Sequence, residues 1–198
     1  MTIIPIESIA RSGKGNAKIG RSIAQFSRMH GLPEDGGTCP GASAWCRENC
    51  YVQRITRQYA QSHARFVANS AGDIPDDIPT SGRYRIHVSG DFDTAPYVRS
   101  WIAMARSRPN VSFWAYTRSW RVPRLMRALE DLRALPNVQL FASTDPSIAD
   151  NPPDGWRVAR IDSAQGYACP EQSGRKPDCN SCSYCITGQS GDVAFTSH

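Results

Sequence analysis

The chain has 198 residues, of which 40% are hydrophobic and 21% charged, and its formal net charge is +5. That length fits one domain able to bury a core of its own, and the charge permits an acidic partner such as nucleic acid without requiring one. No apolar run approaches a membrane span, and the first residues lack the charged start and long apolar core of a secretory signal, so a reducing cell interior is the expected setting.

The first predicted element is a strand from Ile23 to Met29. A loop from Gly31 to Cys50 follows, then a long helix from about Tyr51 to Asn69 and a Pro/Asp-rich connector over 70–82. From residue 83 apolar runs alternate with helical spacing. Arg85 to Val88, Val111 to Tyr116, Val138 to Ala142 and Val158 to Ile161 read as strands. Tyr97 to Ala105 and Arg124 to Leu135 read as the helices between the first three. Each helix ends at a Pro-Asn pair, Pro109-Asn110 and Pro136-Asn137, which stops the helix and launches the next strand. Val193 to Thr196 is a candidate last strand. Strand–helix alternation of this kind implies right-handed crossovers and a parallel sheet. The expected fold is a single α/β domain over 1–198, with a partial parallel (β/α) barrel-like sheet. Its cysteine-rich loops sit at the C-terminal strand ends, where functional groups of such sheets gather.

Seven cysteines fall into two groups. Cys39, Cys46 and Cys50 lie in the loop after the first strand. Cys169, Cys179, Cys182 and Cys185 lie in a cysteine-rich segment over 165–190, after the fifth. Their odd number and the length of the chain argue against a disulfide framework. The late group is C-x2-C-x2-C plus a remote Cys169-Pro170, which suits a cuboidal iron–sulfur cluster. Zinc more often takes two separated pairs and stands as the alternative metal. All seven are candidate metal ligands, for one or two [4Fe-4S] clusters. Three early cysteines alone would leave an open coordination position, the mark of a reactive rather than a closed site. A late cysteine that completes the set would instead close it. Trp45 and Tyr51, set among the early cysteines, are candidates to shield a cluster from water.

Other polar residues punctuate the strand ends. Asp91, beside Gly90, is a candidate general base or cofactor-amine ligand; Asp93 reads as a helix cap. Arg118 is a candidate clamp for a phosphate or carboxylate, with a structural ion pair as its other reading. Asp145, before Pro146, is either an acid/base or a turn residue. His87 lies within an apolar strand, as a pocket ligand or as a satisfied interior residue. Of the basic residues all but Lys14, Lys18 and Lys176 are arginines. That bias suits nucleic acid, but the scatter of the arginines suits GC-rich coding better. Gly13-Lys14-Gly15-Asn16 lacks the P-loop pattern and reads as a flexible segment.

Two resemblances attach to these motifs. GNAK near the N-terminus, TCPGA with its following cysteines, IHVSGDF, WAYTRS and the late cysteine cluster together resemble the phage "gene product 88" family. That resemblance implies a phage or prophage origin and a setting inside the host cell, and imports no activity. The layout is also similar, more distantly, to the radical S-adenosylmethionine (SAM) superfamily. There a three-cysteine loop after strand one holds a cluster that binds SAM, and a Gly-rich motif ends strand two. By position the counterparts are Cys39, Cys46 and Cys50, then Gly90 and Asp91. The spacing here is C-x6-C-x3-C, against the usual C-x3-C-x2-C. The readings open at this point are an iron–sulfur protein with SAM-like radical or redox chemistry, a metal-stabilised module that binds nucleic acid or a host protein, and a zinc-assisted enzyme acting on a nucleobase.

Overall fold

A computed structural model describes residues 10–188 and 191–197. Among them eight strands form one sheet in the order β1-β2-β3-β4-β5-β6-β8-β7. These are β1 (Gly13–Lys14), β2 (Ala24–Gln25), β3 (Gly82–Arg85), β4 (Val111–Thr117), β5 (Val138–Thr144), β6 (Arg157–Ile161), β7 (Tyr167–Ala168) and β8 (Val193–Phe195). β1 pairs antiparallel with β2, and every other pairing is parallel. The expected parallel run through β3, β4, β5 and β6 is therefore present. The sheet is open, with β1 and β7 as its outer strands.

Among the described residues six α-helices accompany it: α1 (Ala44–Glu48), α2 (Tyr51–Gln58), α3 (Ala60–Ala71), α4 (Ala95–Ser107), α5 (Pro123–Arg133) and α6 (Cys179–Cys182). Local chemistry sets the ends of the two crossover helices. Thr94 caps α4 by accepting from the Tyr97 amide at 3.3 Å, and a proline stands in the first turn of both α4 and α5, where its missing N–H costs nothing. The Pro-Asn signal has a specific basis. The Asn137 side-chain amide donates to the carbonyls of Ala105, Arg108 and Val111 at 3.0–3.1 Å. One side chain thus closes α4 and fixes the start of β4.

Successive right-handed crossovers in one direction put α4 and α5 on the same face of the sheet. Val111, Phe113 and Ala115 of β4 point to that face and pack with Trp101, Leu125, Leu129 and Leu132, all of them buried. Trp114 and Tyr116 alternate to the other face, where no crossover helix lies. Trp114 packs there with Ile19, Ile23 and Ile186, and Phe141 with Cys169 and Val193. The second face is thus roofed by the chain around residue 19 and by the cysteine-rich segment, whose residues 189–190 lie outside those described. Cys179 donates its amide to the Lys18 carbonyl at 2.9 Å, and Lys18 pairs with Glu171 at 3.6 Å, joining the two parts of the roof.

Several sequence expectations change. The predicted strand from Ile23 to Met29 is regular only at β2. Its continuation still exchanges backbone bonds with the neighbouring chain, Phe26 with Arg85 and Val88, and Arg28 with Ser89. The long helix from Tyr51 is two helices broken at Tyr59, which is extended (φ −123°, ψ 96°). The break turns α3 so that Phe66 and Asn69 are buried, and the Asn69 amide donates to the Ser27 and Arg11 carbonyls. Helical periodicity runs through this point unbroken, and tertiary hydrogen bonding overrides it. The predicted strand from Arg85 to Val88 is regular only up to Arg85, with β3 lying over Gly82–Arg85 and His87 beyond it at φ +60°. Gly13-Lys14, read as flexible, pairs as β1, and the short elements α1, α6 and β7 were not anticipated.

Candidate metal centre

The first cysteine loop is held by backbone and by two close approaches. Cys39 donates its amide to the Gly31 carbonyl at 2.9 Å, and Thr38 Oγ1 donates to the Met29 carbonyl at 2.8 Å. The same Thr38 oxygen accepts from the Asp91 amide at 3.3 Å, which ties the loop to the turn after β3. That turn needs glycine at position 90. Its φ is +80°, and a Cβ there would lie 2.6 Å from Thr38 Oγ1 and 2.7 Å from Arg28 Cβ. Gly41 packs directly on the Arg118 carbonyl, so the loop also rests on the end of β4.

Cys46 is on α1 and Cys50 caps α2. They lie on either side of the break between the two helices, Cys50 in extended backbone, and the Cys46 thiol feels the Cys50 thiol across it. Ser43 positions this turn. Its hydroxyl accepts from the Cys46 amide at 3.0 Å and donates to Asp145 Oδ2 at 2.6 Å. Asp145 in turn receives Arg118, with Nε and Nη2 each 3.1 Å from Oδ2. Burial would raise the Asp145 carboxyl, but the hydroxyls of Ser43 and Ser147 together with Arg118 hold it below its ordinary value. It is therefore an ionised anchor. The Cys46 thiol is pushed up by burial and drawn down by Arg118. The Cys39 thiol is pushed up by burial, by Asp91 and by Cys46. Each of these thiols feels Cys50 as well, so the three early cysteines are electrostatic neighbours beside Asp91, Arg118 and Asp145.

Asp91 is buried, and burial raises its pKa against three hydrogen bonds. Oδ1 accepts from the Thr117 hydroxyl at 2.6 Å and the Phe92 amide at 2.8 Å; Oδ2 accepts from the Arg118 amide at 2.8 Å. The carboxyl therefore pins the end of β3 to the end of β4, and Oδ2 keeps acceptor capacity.

The late group gathers on the roofed face. Cys179 and Cys185 pack with Tyr116 and Trp114, and Cys169 and Cys185 pack with Phe141. Burial first, then neighbouring thiols, push Cys179 and Cys185 each up to about 11. Cys182 ends α6 and belongs to neither packing cluster. Arg85 stands between the two groups. Its guanidinium stacks 4.0 Å over the Tyr116 ring; burial raises the Tyr51 hydroxyl beside Cys50 as it raises Cys179 and Cys185, and the Arg85 charge opposes that rise on both sides. Among the described residues no three His, Cys, Asp or Glu side chains converge tightly enough to hold a single metal ion.

His87 is not brought to either group. Its φ is +60°, and its ring lies in an aromatic cluster, 4.7 Å from Phe92 and 5.7 Å from Tyr97 between centroids. Nε2 bonds the Tyr97 hydroxyl at 2.7 Å. Burial, then Arg28 and Arg85, lower its pKa well below 6.5. The buried neutral ring resists a proton that the unfolded chain accepts. Its stability contribution is therefore complete above pH 6.5 and is lost as pH falls from there toward the folded-state value. The urea midpoint is expected to drop between pH 7 and 5.5, with a limiting slope of about 1.4 kcal/mol per pH unit from this group. His87→Asn, which tolerates positive φ, should flatten that slope; an unchanged slope would assign the effect elsewhere.

Sequence reasoning missed Ser43 and Arg85. A serine before a short helix is a cap signal that was available. Arg85 ends β3, which also carries Arg83, so nothing local singles it out, and its two neighbours arrive from distant segments.

The family model described as Gene product 88 matches residues 8–188. The chain is 27% identical to the Gene 88 protein of Mycobacterium phage D29, with 88% of this chain and 87% of that protein covered. It is 26% identical to the Gene 88 protein of Mycobacterium phage L5, at the same coverage. No solved structure matches it. No helix among the described residues is long and apolar enough to cross a membrane.

Proposed function

The chain belongs to the Gene product 88 family, and we propose that it is a phage-type iron–sulfur protein of the host cell interior. In this reading Cys39, Cys46 and Cys50 hold a reactive [4Fe-4S] cluster, and Cys169, Cys179, Cys182 and Cys185 hold a second, structural one. The observation that carries it is the gathering of three early thiols, with no histidine among them, beside Arg118 at the strand ends. An all-sulfur donor set fits iron–sulfur clusters and zinc alike. Zinc needs its ligands about 2.3 Å from one point, whereas a cluster takes each thiolate at a separate iron. Thiols that are neighbours without converging fit the second arrangement better.

A cluster bound by three cysteines would supply electrons and one iron open to a ligand. The residues around it have definable tasks. Ser43 and the Asp145–Arg118 pair fix Cys46, and Arg118 offsets thiolate charge. Gly90 admits the close approach of the loop, and Asp91 orients the strand ends. SAM is the first candidate for the open position, with Oδ2 of Asp91, whose charge both Cys39 and Cys46 feel, as an acceptor beside the early thiols.

Anaerobically purified protein is expected to be brown, with stoichiometric iron and acid-labile sulfide. SAM added after reduction should change its paramagnetic resonance spectrum, and Asp91→Ala should weaken that change. Colourless protein carrying zinc alone would remove the cluster reading. Cluster-loaded protein that ignores SAM and binds DNA in a steeply salt-dependent manner would make it a nucleic-acid module.

A further inference from the structure

A cavity of about 550 Å3 opens on the outer side of the first cysteine loop, where the chain entering the loop meets the broken helix pair. Its lining includes His30 from the entering chain, Arg57 from α2 and His63 from α3. The break at Tyr59 is what brings the last two to one hollow. Among the described residues neither Arg57 nor His63 makes a side-chain ion pair. His30 Nδ1 is shut from solvent with no hydrogen-bond partner. Leaving an acceptor lone pair unmet costs less than leaving an N–H unmet, so the hydrogen belongs on Nε2, the nitrogen left to serve the cavity. The electrostatics agree. After burial, the two influences on His30 are His63 and Arg57, both of which oppose a proton on it, and no carboxylate offsets them.

We propose that this cavity is a binding site for a compact phosphate group, free or as a phosphomonoester, held by Arg57, His63 and His30. The identity of the third group decides the sign of the ligand. Two histidines alone would suit a divalent metal, but a permanent guanidinium at the same hollow repels a cation and offers a fork to phosphate oxygens. The shape decides between a single phosphate and a nucleic-acid strand. Three donors concentrated at one concavity suit a localised dianion, whereas a strand is tracked by charge spread along a groove. The site is independent of the metal reading: none of its three donors is a cysteine, and its test needs no cluster.

The experiment is a titration of full-length protein at pH 7 with inorganic phosphate, followed through the ring carbon–proton resonances of the histidines. His30 and His63 should shift together and saturate, while His87, buried elsewhere, stays still. Glycerol phosphate should produce the same saturable shift. Arg57→Ala should weaken binding at least tenfold. Arg57 is exposed, so the variant is expected to fold, and the unmoved His87 resonance checks that it has. His30→Gln, which keeps a donor, should retain part of the affinity, and His30→Ala should not. Equal, unsaturated shifts with chloride, sulfate and phosphate would mean an adventitious ion only and overturn the proposal. So would phosphate binding unaffected by Arg57→Ala, or saturation by a short DNA strand but not by either phosphate.

Discussion

Replacing Cys46 with serine is expected to abolish the spectroscopic signature of the early cluster and to halve the iron and sulfide of the anaerobic protein. The substitution changes one atom at a site whose backbone is independently fixed: the Cys46 amide donates to the Ser43 hydroxyl, and that hydroxyl is held by Asp145. The loop should therefore keep its course and lose only the soft ligand, since a serine hydroxyl does not replace a thiolate on iron. Cys179→Ser is the matching change in the late group. It should leave the early signature and its response to SAM in place while removing the other half of the iron. Loss of all iron in both variants would mean one shared cluster. Unchanged iron in Cys46→Ser would end the assignment of the early group.

The largest stability effect is expected at Asp145. Its side chain is fully buried, and that of Arg118 is 15% exposed. Removing one member of such a pair leaves an uncompensated charge in a dry site, which costs about 3 kcal/mol or more. Asp145→Ala also frees the Ser43 hydroxyl, so the first cysteine loop should loosen with it. Urea unfolding measures the loss. The double variant Asp145→Ala/Arg118→Met checks the cause: with both charges gone, it should be more stable than Asp145→Ala alone. If the two changes add, the ion pair is not what holds the loop, and its role in positioning Cys46 falls with it.

Both predictions depend on groups whose residue types are visible in the sequence and whose partnerships are not. Alternation of apolar runs from residue 83 determined β3 to β6 and the two crossover helices, because strand and helix periods are local and the Pro-Asn stops are chemical. The cysteine spacings likewise named the candidate ligands. Periodicity failed at Tyr59, where nothing in the local sequence opposes a continuous helix and the break is settled by Asn69 reaching Ser27 and Arg11. It also gave no reason to prefer one partner for Arg118. The segment could have been a phosphate clamp or half of an ion pair, and Asp145 arriving from the next strand decides for the pair. His87 shows the same division: its residue type suited a pocket, and the cluster of Phe92, Tyr97 and Trp101 places it in the core. What the sequence determined by itself is the run of strands and crossover helices after residue 83 and the residue types of the candidate ligands, both properties of neighbouring residues. Only the tertiary structure decided which distant side chains meet. The crossover helices cover one face of the sheet alone, which leaves the other to be roofed by the late cysteines, with Arg85 standing between the two groups of thiols.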